Sequence, residues 1–144
     1  MNVPLGLVLG GGSLLNQVAR DLRTATEALL QPYDLTAQQA AALMLASVRG
    51  SATPSQLTAE LGTDTAGLTR LVDRLEAKQL VRRGRHPDDR RSVVIELTEA
   101  GRALVPKLPP VFGRVTSQLL AGFSADEITV LTGMLQRMRS NLRP

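Results

Sequence analysis

The side chains best suited to a chemical task in this chain are arginines concentrated between positions 70 and 91. This segment holds eight of the 17 basic residues and four of the 13 acidic ones. The remaining nine basic and nine acidic residues cancel, so the whole formal net charge of +4 lies in one segment. Guanidinium groups bind phosphate and guanine through paired hydrogen bonds. A localised positive charge of this kind indicates a protein that binds a polyanion such as nucleic acid.

The first part of the basic segment has the hydrophobic spacing of a helix, which we expect from Thr63 to Lys78. Its apolar residues recur at i, i+3, i+4 and i+7 and therefore share one face; they are Leu68, Leu71, Val72 and Leu75. The opposite side carries small, hydrogen-bonding and cationic residues that suit base edges and phosphates. A solvated outer face has a similar composition, so the helix alone does not decide between the two interpretations.

The second part of the segment predicts a β-hairpin. Residues 81–83 and the β-branched run at 92–97 are typical of strands. Between them, Gly84 and the Pro87-Asp88 pair supply turn signals. The sequence therefore predicts two short antiparallel strands joined by a turn.

The tip of this hairpin is rich in arginine. Arg85, Arg90 and Arg91 repel one another there, which favours an anionic partner. In an extended strand Asp89 and Arg91 lie on the same face. We therefore expect the Asp89 carboxylate to orient the Arg91 guanidinium.

The rest of the chain predicts helices around this unit. A capping Ser or Thr followed three residues later by Gln or Glu occurs at Thr36, Thr53 and Ser124. This arrangement satisfies free N–H groups at a helix start. An earlier apolar stripe begins at Ser13 and stops ahead of a proline. Prolines within 105–110 must kink or break the helix that follows the hairpin.

The order of these elements is that of a winged helix-turn-helix, which inserts one helix into the DNA major groove with the hairpin beside it. We predict a mainly α fold with a small β-hairpin wing and flanking N- and C-terminal dimerisation helices. Residues 36–97 are the expected DNA-binding lobe, and residues 13–35 and 98–144 the expected helical dimerisation region. The glycine-rich residues 1–12 predict an N-terminal arm. The flanking helices carry more apolar surface than the lobe can cover, which predicts a homodimer.

The run LTRLVDRLEAKQLVRR and the following HPDDRRSVVIELTEAGRAL closely resemble the multiple-antibiotic-resistance regulator (MarR) family. The family pattern is D-R-L-E-x-K-G-L-V at the end of the recognition helix, D-P-x-D-R-R in the wing and L-T-x-x-G after it. Two positions depart from it. Gln79 stands in place of the usual glycine, which makes a left-handed helix end less certain. His86 replaces the first wing aspartate and is expected to loosen the turn.

The resemblance implies a transcription regulator, a repressor, that binds a palindromic operator in double-stranded DNA as a homodimer. It also implies a pocket between the dimer helices and the DNA-binding lobe, where small phenolic or lipophilic effectors relax DNA binding. Since aromatic residues are scarce, such a pocket would bind its ligand by aliphatic contact. The sequence leaves open whether an effector exists, because a constitutive repressor has the same motifs. It also leaves open whether the protein represses or activates transcription.

The residues expected to contact DNA fall into two groups. The group on or beside the recognition helix comprises Thr63, Thr65, Thr69, Arg70 and Arg74, with base edges expected at Thr65, Thr69 and Arg70. The wing group comprises Arg85, Asp89, Arg90 and Arg91. Within it, Arg91 is expected in the minor groove and the other two arginines on phosphates. Arg82 and Arg83 are expected along the same phosphate path.

Two other classes of function fit less well. A winged helix can bind an acidic protein instead of DNA, although the arginine-tipped wing and threonine-rich helix favour DNA. An enzyme is not indicated, since no paired carboxylates or nucleophile–base set occurs and Gly10–Gly12 before Ser13 lacks the lysine of a P-loop. With no cysteine and one histidine, His86, we expect no catalytic residue, cofactor or metal site. Residues 3–12 are too short to span a bilayer, so a cytoplasmic protein without a membrane partner is expected.

Overall fold

The computed structural model describes residues 13–144, and the predicted arm at residues 1–12 lies outside the described residues. The helices are α1 (Leu14–Leu30), α2 (Ala37–Val48), α3 (Pro54–Leu61), α4 (Thr65–Ala77), α5 (Glu99–Leu104), α6 (Pro109–Leu119) and α7 (Ala125–Leu142). The strands are β1 (Ser51–Ala52), β2 (Val81–Arg85) and β3 (Val93–Leu97). Short 3-10 turns follow α1 and α5 at Gln31–Tyr33 and Val105–Lys107. This order confirms the mainly α fold with a hairpin wing.

The helix starts lie where the capping signals predict them. At α2 the Thr36 hydroxyl accepts from the Gln39 backbone N–H at 3.2 Å, while the Gln39 side chain accepts from the Thr36 N–H at 3.1 Å. The same reciprocal pair begins α3 at Thr53 and α7 at Ser124. Each box satisfies two backbone donors that a helix start would otherwise leave free.

The recognition helix α4 begins at Thr65, two residues later than the predicted Thr63. The reason is that Asp64 caps it: the Asp64 carboxylate accepts from the Gly67 N–H at 2.7 Å. The Thr63 and Asp64 side chains fill the space that a Cβ on Gly67 would need. Thr63 therefore packs under the start of the helix and is not part of it.

The far end of α4 closes in a Schellman motif despite the missing glycine. Gln79 adopts a left-handed conformation with φ of 60°. Its N–H donates to the Glu76 carbonyl at 2.8 Å, and the Leu80 N–H donates to the Leu75 carbonyl at 3.0 Å. These two bonds satisfy carbonyls at the helix end in the usual way. Gln79 thus forms the left-handed end that the family pattern assigns to glycine.

A three-stranded antiparallel sheet carries the wing, with β3 between β1 and β2. The two-residue β1 was not predicted, and β2 runs on through Gly84, which the sequence analysis placed in the turn. A Cβ on Gly84 would lie 2.8 Å from the Glu96 carboxyl carbon, so a larger residue there would require the Glu96 side chain to move. The absent side chain leaves room for Glu96 to pair with Arg82, its partner across the strands.

The hydrophobic core lies mostly in the DNA-binding lobe. Helix α2 passes through its centre, with Ala40 and Leu43 fully buried. The apolar stripe predicted for α4 is buried against it, as are the inward residues of β3. The break expected among the C-terminal prolines is present as the 3-10 turn between α5 and α6.

The flanking helices leave a broad apolar surface uncovered in the single chain. No residue of α7 is buried in the single chain. The large apolar side chains left exposed on the terminal helices include Leu14, Leu15 and Val18 of α1 and Val130, Leu131, Met134, Leu135, Met138 and Leu142 of α7. None of the helices among residues 13–144 is long and apolar enough to cross a membrane.

Candidate nucleic-acid interface

The outer side of α4 carries the predicted reading residues, and they are available to a ligand. Thr65, Thr69, Arg70 and Arg74 are all exposed. At about 100° per residue, Thr69, Arg70 and Arg74 lie away from the buried leucine stripe, and Thr65 lies beside it at the helix start. The Thr69 hydroxyl donates to the Thr65 carbonyl at 2.9 Å, which leaves its oxygen free to accept. The guanidinium groups of Arg70 and Arg74 have no hydrogen bond or ion pair with any described residue. The helix therefore presents two uncommitted cations and two hydroxyls on one surface.

A polar cavity of about 390 Å³ adjoins this surface, between α1, the start of α2 and α4. Arg70 and Arg74 line one side, and Arg23 of α1 lines another. Arg23 lies far from the basic segment in the sequence, so only the fold brings it to the recognition helix. This third guanidinium extends the positive surface towards the N-terminal helix α1.

The wing tip is organised by Asp89, but not through the predicted contact with the Arg91 guanidinium. One carboxylate oxygen accepts from the Arg91 backbone N–H at 3.0 Å, and the other from the Ser92 hydroxyl at 3.0 Å. The predicted side-chain pair is wrong because residues 89–92 form a turn and not an extended strand. Asp89 therefore fixes the path of the backbone and leaves the Arg91 guanidinium free to meet a ligand.

These contacts also set the charge of Asp89. The hydrogen bond from the Arg91 backbone, followed by that from Ser92, holds the pKa of Asp89 below its ordinary value. A carboxyl whose pKa is lowered by folding contributes its full stabilisation at pH values above its ordinary, unfolded-state pKa. That contribution is lost only as the pH falls through the lower, folded-state value. The wing tip therefore keeps this organisation throughout the neutral range.

His86 takes over a turn-forming role from the aspartate that the family pattern has there. Its Nδ1 accepts from the Asp88 backbone N–H at 3.1 Å. The backbone N–H of His86 donates to the Ser92 carbonyl at 2.9 Å, which closes the turn. An aspartate makes the same kind of bond to the backbone two residues on. The turn is therefore closed by hydrogen bonds with His86 in this position.

Two arginines of the basic segment are bound to acidic side chains within the chain. Arg83 pairs with Asp73 at 2.8 Å and also with Glu76, so it ties the wing to the outer side of α4. Arg82 pairs with Glu96 at 3.0 Å. These ion pairs compete with the expected phosphate contacts of Arg82 and Arg83, which stay predictions. Arg85 makes only one bond, to the Arg90 carbonyl at 3.2 Å, and keeps most of its donors free.

The L-T-x-x-G motif holds the wing against the end of the recognition helix. The Thr98 N–H donates to the Leu80 carbonyl at 3.0 Å, and its hydroxyl donates to the Gln79 carbonyl at 2.7 Å. The same hydroxyl accepts from the Gly101 N–H at 3.1 Å and begins α5. A Cβ on Gly101 would overlap the Leu80 carbonyl oxygen. The glycine is therefore required by close packing.

These features define a class of protein. The chain has a recognition helix with free arginines and threonines, and a hairpin whose ordered tip carries three more arginines. It folds as a winged helix-turn-helix, and its exposed arginines lie on the two elements with which such folds contact nucleic acid.

Comparison with known proteins narrows the class to a family. The MarR family profile matches residues 35–93. The multiple antibiotic resistance protein MarR of Escherichia coli K12 is 30% identical over 128 residues, which cover 88% of this chain and 89% of that protein. Its counterpart in Salmonella typhimurium is 33% identical over 110 residues, 76% of each chain. The chain belongs to the MarR family, as its motifs predict.

Solved structures agree with this assignment. A mutant of Escherichia coli MarR in complex with operator DNA superposes with a TM-score of 0.80 at 28% identity, covering 95% of this chain and 99% of that one. BpsR of Bordetella bronchiseptica superposes with a TM-score of 0.79 at 25% identity, covering 88% of this chain and 90% of that one. The DNA binding of BpsR is regulated by 6-hydroxynicotinic acid.

The predicted site residues are brought together unequally. The fold exposes Thr65, Thr69, Arg70 and Arg74 along α4, and it gathers Arg85, Arg90 and Arg91 at the wing tip. Thr63 and Asp89 support these groups from within the chain. Asp64, Gly67 and the acidic partners of Arg83 were missed by the sequence analysis. Asp64 had a signal, since an Asp just before a periodic apolar stretch is a helix cap. The contacts of all these residues with DNA remain predictions.

Proposed function

We propose that this chain is a homodimeric transcriptional repressor that binds a palindromic operator in double-stranded DNA. The observation that carries the proposal is the division of its arginines. Arg82 and Arg83 are neutralised by carboxylates, whereas Arg70, Arg74 and Arg91 have no acidic partner among the described residues. Free cations on the recognition helix and wing tip are placed for phosphates and guanine edges. The chain would act in the cytoplasm and would catalyse no reaction.

Each exposed residue has a proposed role in that complex. Thr65, Thr69 and Arg70 contact base edges in the major groove. Arg74 contacts a base or a phosphate. At the wing, Arg91 enters the minor groove, while Arg85 and Arg90 contact phosphates. Asp89 holds the turn that presents them.

The dimer is proposed to form through the terminal helices. Both α1 and α7 leave large apolar side chains exposed in the single chain, and such side chains mark interaction surfaces when they are grouped. A second copy would cover this surface by the same residues in a two-fold arrangement. Two recognition helices related in this way would read a palindrome.

An effector pocket is proposed between α1, the start of α2 and α6. A cavity of about 310 Å³ lies there, with Leu22, Thr26 and Val115 among its lining residues. Phe112 also lines it, so a ligand would meet an aromatic ring as well as aliphatic side chains. A flat phenolic or lipophilic molecule fits this lining. The regulation of BpsR by 6-hydroxynicotinic acid supports this part of the proposal.

The proposal is tested by selecting bound duplexes from random DNA and measuring the affinity for the selected duplex by fluorescence anisotropy. We expect a palindromic consensus, and an affinity for it at least about a thousandfold above that for shuffled DNA at physiological salt. The absence of any enriched sequence would contradict the proposal. Binding to an acidic protein in place of DNA would then be the better interpretation of the basic surface. Release of the duplex by phenols or aromatic carboxylates tests the effector separately.

A further inference from the structure

The ammonium group of Lys78 points into the protein, although it belongs to the basic segment. Lys78 follows α4 directly, and its side chain is 29% exposed. Its Nζ donates to the Asp34 carbonyl oxygen and, at 3.1 Å, to Oε1 of Gln39. The Asp34 carboxylate lies 3.6 Å from Nζ, which is an ion pair and longer than a hydrogen bond. Two of the three ammonium donors are therefore used within the chain, and the charge lies beside a carboxylate.

The acceptors of Lys78 belong to the α1–α2 junction, residues 31–36 together with the cap residue Gln39. Asp34 adopts a left-handed conformation with φ of 54°, and its N–H donates to the Gln31 carbonyl at 3.0 Å. Gln39 is only 3% exposed, and its Oε1 also accepts from the Thr36 N–H. The junction is thus a rigid turn that connects the exposed apolar helix α1 to the DNA-binding lobe.

This contact adds a connection that core packing does not provide. The buried stripe of α4 fixes that helix inside the lobe, against α2 and α3. Among residues 65–78, only Lys78 makes a side-chain hydrogen bond to the α1–α2 junction in the described part of the chain. An exposed ion pair stabilises a fold only slightly. The value of the Lys78 contacts therefore lies in placing the end of the recognition helix, more than in stability.

We propose that Lys78 is a positioning residue that sets the separation of the two recognition helices in the dimer. Half-sites read by such a dimer lie about 34–36 Å apart, one turn of DNA. Because α1 contributes to the dimer surface, a change in the angle between α4 and the junction would move both recognition helices relative to each other. Lys78 opposes that change. This inference rests on the proposed binding of an operator by a homodimer.

The test compares two duplexes, each measured with the full chain. One is the palindromic duplex that the wild-type protein selects from random DNA. The other has one of its half-sites replaced by random sequence. Lys78→Met removes the three donors and keeps a long apolar stem. We expect it to lower affinity for the palindrome about tenfold, as when the binding-competent arrangement falls to about a tenth of the population. Affinity for the single half-site and its dependence on salt should not change.

Two variants and one change in the DNA complete the test. Lys107→Met removes the other lysine of the chain, which is exposed, and should leave both affinities unchanged. Asp34→Gly suits the left-handed backbone and removes the carboxylate of the ion pair while keeping the backbone carbonyl that accepts from Lys78, so we expect a smaller loss than for Lys78→Met. Inserting one base pair between the half-sites should weaken wild-type binding more than binding by Lys78→Met.

Other outcomes would overturn the inference. Equal losses on both duplexes, with a salt slope flatter by about 0.9 per lobe, would make Lys78 a phosphate contact. Equal losses with a lower melting temperature and an unchanged slope would make it a purely structural residue. Unchanged binding to both duplexes would also contradict the proposal. Failure of the wild-type protein to select any duplex would instead contradict the proposed function.

Discussion

The DNA-binding lobe and the terminal helices carry the same kind of apolar pattern, but the lobe buries far more of it. Of the 18 apolar residues buried in the described part of the chain, 14 lie between positions 36 and 97. The stripe of α4 is at most 8% exposed, at Leu71. On α7 the equivalent residues Leu131, Leu135 and Met138 remain 37–40% exposed. The lobe is therefore complete in one chain, whereas the helices around it require a partner surface.

This difference separates two kinds of information in a hydrophobic pattern. Spacing at i, i+3 and i+4 shows which face of a helix is apolar. It does not show whether that face meets the same chain or another one. The apolar face of α4 packs on α2, an earlier helix of the same chain. The apolar face of α7 is covered by no element among residues 13–144. The predictions below act on the lobe, on the helices and on the contact between them.

The largest effect is expected where the helices would meet a second copy. Leu135→Asp places a charge in the proposed dimer interface, where an unpaired buried carboxylate costs several kcal/mol, roughly 3–5. Light scattering should show a dimer of about twice the 15.4 kDa chain mass for the wild-type protein and a monomer for the variant. Leu131→Asp should behave in the same way.

A matched control lies on the opposite side of the same helix. Ser140 is five residues from Leu135, about 140° away around α7. Ser140→Asp should leave the mass unchanged. A wild-type monomer at micromolar concentration would contradict both the dimer and the palindromic operator.

The next effect is expected at the contact between the two regions. Gly101 of α5 lies against the Leu80 carbonyl at the base of the wing. Gly101→Ala should lower the free energy of unfolding by about 1–3 kcal/mol, because the added methyl must displace backbone. Thermal or urea unfolding measures this change. Gly113→Ala in α6 is the control, since a Cβ there meets nothing within 4 Å. It should stabilise by about 0.5–1 kcal/mol, and equal destabilisation by both variants would contradict the packing argument.

The smallest effects are expected within the lobe, on DNA binding alone. Arg91→Ala should weaken operator binding by about 1–3 kcal/mol, the usual range for a groove contact. Asp89→Ala should weaken it less, because it loosens the turn without removing a cation. Asp89→Asn keeps an oxygen that can accept from the Arg91 N–H and should weaken binding least. Titrations by anisotropy measure all three, and an unchanged affinity for Arg91→Ala would remove the wing from the interface.

Most of the fold follows from local signals in the sequence, and the site only partly. The boxes at Thr36, Thr53 and Ser124 mark helix starts because the bonds they make span three residues. The pairing of Arg83 with Asp73 and Glu76 depends on how the hairpin folds back on α4. Because the sequence alone does not show this contact, Arg83 was predicted to be free for DNA. Asp89 was assigned to a side-chain partner because the sequence suggested a strand where a turn exists.

The proposed reading role of α4 is tested most directly by comparing Arg70→Ala with Arg85→Ala on the selected operator and on random DNA, over a range of salt concentrations. A base contact carries sequence information, whereas each lost phosphate contact flattens the slope of log K against log salt by about 0.9. We predict that Arg70→Ala weakens operator binding by about 1–3 kcal/mol and random binding much less. Arg85→Ala should weaken both equally and flatten the slope. Equal weakening of both duplexes by Arg70→Ala would contradict the assignment of α4 as the element that reads the operator.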